Sequence, residues 1–292
     1  MQIATTENTI YTSPDASKIF CYTPSILVTP TGRLIVSFDL GGEGVKSIEG
    51  HKSSRAGGSR FGQGKIFISD DNGQKWTFVQ NFPFWHARLF TIGNSIYLIG
   101  HAGDICIMKS EDNGESWSDT YFLTHGEKWH SSACNVLFSN GNVYLAMEQR
   151  CRLNEVTGWD VAGLSPTLFR ACVEDNLCLA SSWSRSEKFI YKEVFDGAKL
   201  DFFGIPFYDC ETNKPKEIAT GINNAPLGWL EANVVKFVDK DHIWHTDLKE
   251  VFHLFLSAHT GGVHFAHLFK IEIQDDQSMI PSLEHTPSGQ KI

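Results

Sequence analysis

The sequence lacks any long apolar run. No stretch of its 292 residues approaches the length of about 20 apolar residues that spans a bilayer as a helix, so a membrane partner is not expected. It also lacks a basic block. The net charge is −9, which argues against nucleic acid as a partner. The opening, MQIATTENTI, has neither the basic nor the apolar region of a secretory leader. Close cysteine pairs are missing too. The seven cysteines (Cys21, Cys106, Cys134, Cys151, Cys172, Cys178 and Cys210) are odd in number, and none is spaced as a metal-ligand pair. They read as buried thiols of a reducing compartment, which favours the cytoplasm; neither a metal nor another cofactor is expected. Helical periodicity is scarce as well, since few segments keep an apolar period of 3.6 over three turns. What the chain does have in quantity is histidine, 12 in all, and 12% aromatic residues, both useful in a polar cleft that handles sugar rings.

The apolar residues alternate instead. PSILVTPTGRLIVSFD does so about a Pro-Thr-Gly turn, HARLFTIGNSIYLIGH about Gly93-Asn94, and SSACNVLFSNGNVYLAMEQ about Asn140-Gly141. Short β-rich runs joined by Gly and Asn turns read as hairpins. The first two hairpins are followed by GKIFISDDNGQKWTFV and DICIMKSEDNGESWSDT, each a strand, a turn and a further strand. A third unit carries a weaker version, LCLASSWSRSEKF, and a fourth pairs EANVVKFVD with VFHLFLSAH and HFAHLFKIEI. Four-stranded antiparallel units in tandem predict an all-β fold, a β-propeller, as a single domain over residues 1–292.

The turn of the first two units is written twice, 41 residues apart, as Ser-x-Asp-x-Gly-x-x-Trp: Ser69, Asp71, Gly73 and Trp76, then Ser110, Asp112, Gly114 and Trp117. The aspartates are placed to accept backbone N–H bonds, the glycines to take positive φ, and the tryptophans to pack between strands. This predicts a blade-building turn on the outer part of each blade, not a catalytic pair.

These turns resemble the Asp box, or BNR repeat, of the sialidase superfamily. The order of TPSILVTPTGRLIVSFDLGG, FWHARLF, SWSDTYFLTHGEKWHSSACNV and APLGWLEANVV is similar to bacterial sialidase-like glycosidases. The resemblance covers the pattern from about Thr23 to Ile273. It implies a propeller, usually of six blades, and a hydrolase that grips a substrate carboxylate with three arginines and uses a tyrosine nucleophile. The first of those arginines belongs to an Arg-Ile-Pro sequence before the first inner strand. Here the matching stretch is FCYTPSILV, with Tyr22 and Thr23 before Pro24. A phenol or hydroxyl does not replace a bidentate guanidinium, which argues against sialic acid as the substrate. About four to five blades are legible. The final TPSGQKI echoes TPTGRLI at Thr29–Ile35, which reads as the start of a fifth inner hairpin and predicts an open ring with an exposed strand edge, to be met by marginal stability, by self-association as a homo-oligomer, or by further blades of a longer protein.

In a propeller the inner strands line the channel, and ligands bind at one mouth. Residues bracketing these strands form the candidate site. Glu231, Glu148, His130 and His86 are the candidate catalytic groups, the carboxylates as general acid or base and the histidines as proton carriers. Glu231, running straight into an apolar strand, reads as a buried carboxylate. Arg88, His101, Asp104, Trp129, Arg150, Trp229, Asn233 and His259 are the candidate substrate-binding groups, with the arginines suited to a uronate or sulfate and the tryptophans to a sugar face. His125 and His245 read as exposed loop residues. Three functions fit: a glycoside hydrolase on an acidic or substituted sugar, a lyase on uronate-containing glycans using His, Tyr and Arg, and a carbohydrate-binding propeller without catalysis. Carbohydrate is the expected partner in all three.

Overall fold

The computed structural model describes residues 7–54, 61–130, 135–151, 163–190, 216–219, 222–224, 228–235, 251–259, 264–274, 276 and 278–285. The chain divides into two compact units, residues 1–126 with 178–180, and residues 127–177 with 181–292. Both are built from antiparallel strands, as the alternating runs predict.

The first unit holds two sheets. One is formed by β1 (Phe20–Val28), β2 (Leu34–Gly41), β3 (Ser53–Ser54), β4 (Phe61–Ser69) and β5 (Thr77–Phe82), in the order β1-β2-β4, with β3 and β5 both pairing β4. The other is β6 (Trp85–Ile92), β7 (Ser95–Ala102), β8 (Asp104–Ser110) and β9 (Tyr121–Phe122), paired in chain order. The run LIVSFDLG of β2 is nearly all buried, because it feeds two cores. Ile35 packs with Ile66, Phe82, Phe84 and Leu98 on one side, while Val36, Phe38 and Leu40 pack with Phe67 on the other. The second face is covered in part by Ile10 and Tyr11. Each fully buried aliphatic side chain there contributes on the order of 1.5–3 kcal/mol. Gly64 on β4 is required by close packing: a Cβ there would lie 1.9 Å from the Phe82 ring.

The repeated turns join β4 to β5 and β8 to β9, at the outer end of each sheet's strand order. Both share the same serine–aspartate–glycine wiring, although Trp76 bonds its turn through the indole N–H and Trp117 has no such bond among the described residues. Ser69 Oγ donates to Asp71 Oδ1 at 2.8 Å and accepts from Gly73 N at 2.9 Å, while Lys75 N donates to Asp71 Oδ1 at 2.8 Å. In the second turn Ser110 Oγ, Gly114 N and Ser116 N make the equivalent bonds, each at 2.9 Å. The residues Asn72-Gly73 and Asn113-Gly114 all have positive φ. These bonds hold both aspartate pKa values below the ordinary carboxylate range. Arg33, on the turn after β1, reaches both copies. It donates to Asp70 at 2.6 and 2.8 Å and to Glu115 at 3.0 Å.

The second unit contains a sheet of β10 (Trp129–His130), β11 (Leu137–Ser139), β12 (Asn142–Arg150), β13 (Leu164–Cys172) and β14 (Trp183–Arg185), in which β10 and β11 both pair β12. The weaker third copy of the turn shares a tryptophan bond with the first: Trp183 Nε1 donates to Leu177 O at 2.9 Å, as Trp76 Nε1 does to Gly73 O at 3.0 Å. A separate hairpin, β15 (Lys216–Ala219) and β16 (Ile222–Asn224), precedes a four-stranded sheet of β17 (Gly228–Val235), β18 (Val251–His259), β19 (His264–Ile273) and β20 (Met279–His285). The echo at 286–292, with Cys134, Cys210 and His245, lies outside the described residues. Among the described cysteines, Cys106 and Cys178 are buried and Cys151 and Cys172 half-buried, but Cys21 is exposed, contrary to expectation, because it lies on the uncovered face of β1. Among the described residues no helix is long and apolar enough to cross a membrane.

Candidate functional site

The first strands of three sheets share an irregularity the sequence does not announce. The pairing slips between Tyr22 and Ser25 in β1, between Trp85 and Arg88 in β6, and between Leu230 and Asn233 in β17. Each slip contains a non-glycine residue with positive φ: Thr23 at 44°, His86 at 53° and Glu231 at 62°. A left-handed backbone disfavours any residue with a Cβ, and a β-branched threonine most. Such strain persists only where surrounding structure fixes it, and it gathers at functional positions. A bulge also re-aims a side chain and frees backbone groups from the ladder.

The second strands supply the groups that fix these bulges. Asp39, His101 and Glu148 stand opposite Tyr22, Trp85 and His130, respectively. In the first unit Asp39 Oδ1 accepts from Thr23 Oγ1 at 2.5 Å and from the His86 backbone N–H at 3.2 Å. Asp39 is only 1% exposed, and its Oδ2 has no hydrogen-bond partner among the described residues. Burial raises its pKa to about 7, against the opposing pull of the Thr23 and His86 bonds and of the Arg88 charge. His86 is half-buried, and its Nδ1 lies 3.1 Å from Nε2 of the buried His101. Arg88 is buried, with Nη1 donating to the Ala87 carbonyl at 3.0 Å and at longer range to those of Pro24 and Thr23. Nη1 of the guanidinium therefore satisfies carbonyls turned out by the first bulge.

In the second unit Glu148 is 1% exposed. Its Oε2 lies 2.5 Å from His130 Nδ1, and its Oε1 accepts from the Ala232 backbone N–H at 2.9 Å. Ala232 directly follows Glu231, the left-handed residue. Glu231 is exposed, not buried as its apolar neighbours suggested, because the bulge turns it off the strand's alternation. Asn233 Oδ1 accepts from the backbone N–H groups of Asn135 and Val234 at 2.8 and 2.9 Å, which fixes the far side of the bulge.

Several expected ligand contacts give way to internal ones. Trp129 is 1% exposed, edge-on to Phe169, with Nε1 donating to Glu127 and the Arg185 guanidinium over its ring. Trp229 is fully buried and stacked on Phe189, with Nε1 donating to the Phe189 carbonyl at 2.8 Å. Neither indole offers a face to a sugar; both are core residues of the first strand of their sheet. Asp104 accepts from Thr124 Oγ1 at 2.8 Å and Gly126 N at 3.0 Å, closing the loop after β9. Arg150 is half-buried at the end of β12, and His125 is exposed as expected. His259 ends β18 opposite Gly228, and its side chain lies outside the described residues. Among the described residues no group of three His, Cys, Asp or Glu is arranged to hold a metal ion.

Asp39 stands at the end of an apolar run and is not among the candidates the sequence offers. A signal for it exists in the hairpin alignment. Asp39 follows Gly32 by seven residues, His101 follows Gly93 by eight, and Glu148 follows Gly141 by seven.

No protein-family model and no curated protein matches the chain. Solved structures do. An α-L-arabinofuranosidase from Lactobacillus brevis is 13% identical, with a TM-score of 0.51 over 93% of this chain and 80% of that one. An α-L-arabinofuranosidase from Fusarium graminearum, complexed with an iminosugar inhibitor, is 9% identical, with a TM-score of 0.45 over 95% of this chain and 69% of that one. A NanB sialidase from Streptococcus pneumoniae is 10% identical, with a TM-score of 0.48 over 89% of this chain and 48% of that one. The likeness is one of fold, an all-β arrangement of antiparallel four-stranded sheets.

Proposed function

We propose that the protein is a glycoside hydrolase acting on a substituted or acidic sugar, with residues 1–292 working as one propeller domain, and with Glu231 as the carboxylate that meets the substrate. The observation that carries this is the construction behind Glu231. A strained bulge presents the carboxylate to solvent, and a buried carboxylate, Glu148, holds the next backbone N–H at 2.9 Å while pairing with His130 at 2.5 Å. Strain and a buried polar pair are both costly, and together they support a position selected for chemistry rather than for packing. Glycoside hydrolysis needs a proton delivered to the leaving oxygen, and a solvent-facing glutamate on a rigid strand suits that role. Glu148 and His130 form the buried dyad that keeps the bulge in place. The shared fold with a hydrolase of arabinofuranosides supports the reaction class, while the residues carry the argument.

The test is a panel of aryl glycosides, arabinofuranosides, uronides and sialosides included, assayed with wild-type and Glu231→Gln protein. General acid–base groups contribute on the order of 100- to 10,000-fold, so the glutamine variant should lose at least about 100-fold on the substrate that wild type cleaves. Full activity in the variant overturns the role. The buried His86–His101 contact supports a second reading, a lyase on uronate-containing glycans. A lyase would release an ultraviolet-absorbing unsaturated product from such a glycan, where a hydrolase releases only a reducing end.

A further inference from the structure

The Glu148–Ala232 bond has a counterpart that the proposed chemistry does not use. In both units a carboxylate on the second strand of one sheet accepts the backbone N–H of the bulge in the first strand of another: Asp39 from His86 N, and Glu148 from Ala232 N beside Glu231. Both carboxylates are 1% exposed, and both also bind a side chain beside or opposite them in their own sheet, Thr23 and His130, respectively. Both supported bulges contain a non-glycine residue at positive φ. The recurrence is not forced by the ladder, because the strand positions match while the side chains differ in length.

We propose that Asp39 is a positioning residue for His86, holding the strained bulge of β6 so that the imidazole is presented as a working group on the first unit, in the way that Glu148 holds the bulge of Glu231 on the second. The inference rests on the reading of Glu231 as the substrate-facing carboxylate. His86 in turn leans on His101, whose Nε2 is 3.1 Å from its Nδ1, so Asp39 fixes the backbone and His101 fixes the ring. The charged and titratable groups that face Asp39 are His86 and Arg88 on β6 and Cys21 on β1. None of them bonds Oδ2, and a buried carboxylate with one oxygen unpartnered among the described residues calls for a role besides packing.

The experiment compares Asp39→Val, which removes the acceptor at similar size, with Asp39→Asn, which keeps it. The readouts are NMR of the His86 amide and ring, and the pH profile of kcat/KM on whichever glycoside of the panel wild type cleaves. Asp39→Val should shift the His86 amide, abolish the His86–His101 ring contact and cut kcat at least tenfold with KM within twofold. Asp39→Asn should restore the amide and ring signals. A folded Asp39→Val protein with unchanged His86 signals overturns the proposal. If Asp39→Val does not fold, amide exchange at His86 decides. In wild type its protection should vary with pH as Asp39 ionises, and in Asp39→Asn it should not; the same pH dependence in both overturns the proposal. A wild-type protein that cleaves no glycoside refutes the hydrolase reading, while the His86 signals still judge the positioning role.

Discussion

Replacing Asp39 by asparagine should change how stability depends on pH. Burial raises the native pKa of Asp39 from the model-compound 3.8 to about 7. Between those values the native chain holds a proton that the unfolded chain has released. The resulting stabilisation is fully present below about pH 4 and is lost as pH rises through about 7. At about 1.4 kcal/mol per pH unit of separation, wild type should lose up to about 3 kcal/mol between about pH 5 and about pH 8 through this one group. Asparagine keeps an oxygen for Thr23 and His86 and cannot ionise, so it should show no such loss. Its amide N–H₂ meets the place where Oδ2 has no partner, and that costs about 1–3 kcal/mol at every pH. The offset and the slope are thereby separable. Denaturant titrations of both proteins across that range, at fixed salt, read the difference, and the histidines common to both cancel. Wild type should be the more stable at the acid end, with its advantage shrinking steadily toward the alkaline end. A difference constant to within about 0.5 kcal/mol across the range would refute the reasoning, since half a pKa unit is worth more than that.

Gly64→Ala should destabilise the first unit by about 1–3 kcal/mol, because its Cβ meets the fully buried Phe82 ring; thermal unfolding followed by aromatic circular dichroism checks this. Ser110→Ala should cost about 1–3 kcal/mol by stranding the buried Gly114 N–H, with no change in activity on any substrate that wild type cleaves, as measured by denaturation and turnover side by side. Glu148→Ala should be worse than Glu148→Gln in both stability and rate, since alanine abandons His130 and the Ala232 N–H while glutamine keeps acceptor and donor; equal losses would deny the dyad its positioning role.

The hairpins were legible because each turn is written in Gly and Asn and each strand in alternating apolar residues: Gly93, Asn140 and Gly141 all take the positive φ that their type permits. The doubled Ser-x-Asp-x-Gly-x-x-Trp stretch was legible for the same reason, since all its bonds are local. Glu148 and His130 could be found because they end hairpin strands. The burial of Trp129 and Trp229 could not, because an indole at a strand start reads alike whether it faces solvent or a neighbour such as Phe169 or Phe189. The bulges were hidden too. Thr23, His86 and Glu231 have no local preference for a left-handed backbone, so only the long-range bonds from Asp39 and Glu148 explain them.

Arg33 gives the first unit a property that neither of its sheets has alone. Its guanidinium joins Asp70, in the turn region of one sheet, to Glu115 and the Asn113 carbonyl, in the turn of the next, while Asn113 Nδ2 returns a bond to Thr31 beside it. In an array of repeats, cooperativity resides in the joints between neighbours more than in the repeats themselves. Here the joint is mainly a shared core, Ile35 and Ile66 against Phe84 and Leu98, and Arg33 adds a clasp at its outer edge whose exposed partners make it weaker in added salt. Ionic strength should therefore loosen the paired turns at this edge without parting the two sheets. Hydrogen exchange would register this as faster exchange in the two turns at high salt while the strands stay protected as one block, and Arg33→Ala would show the same at either salt concentration.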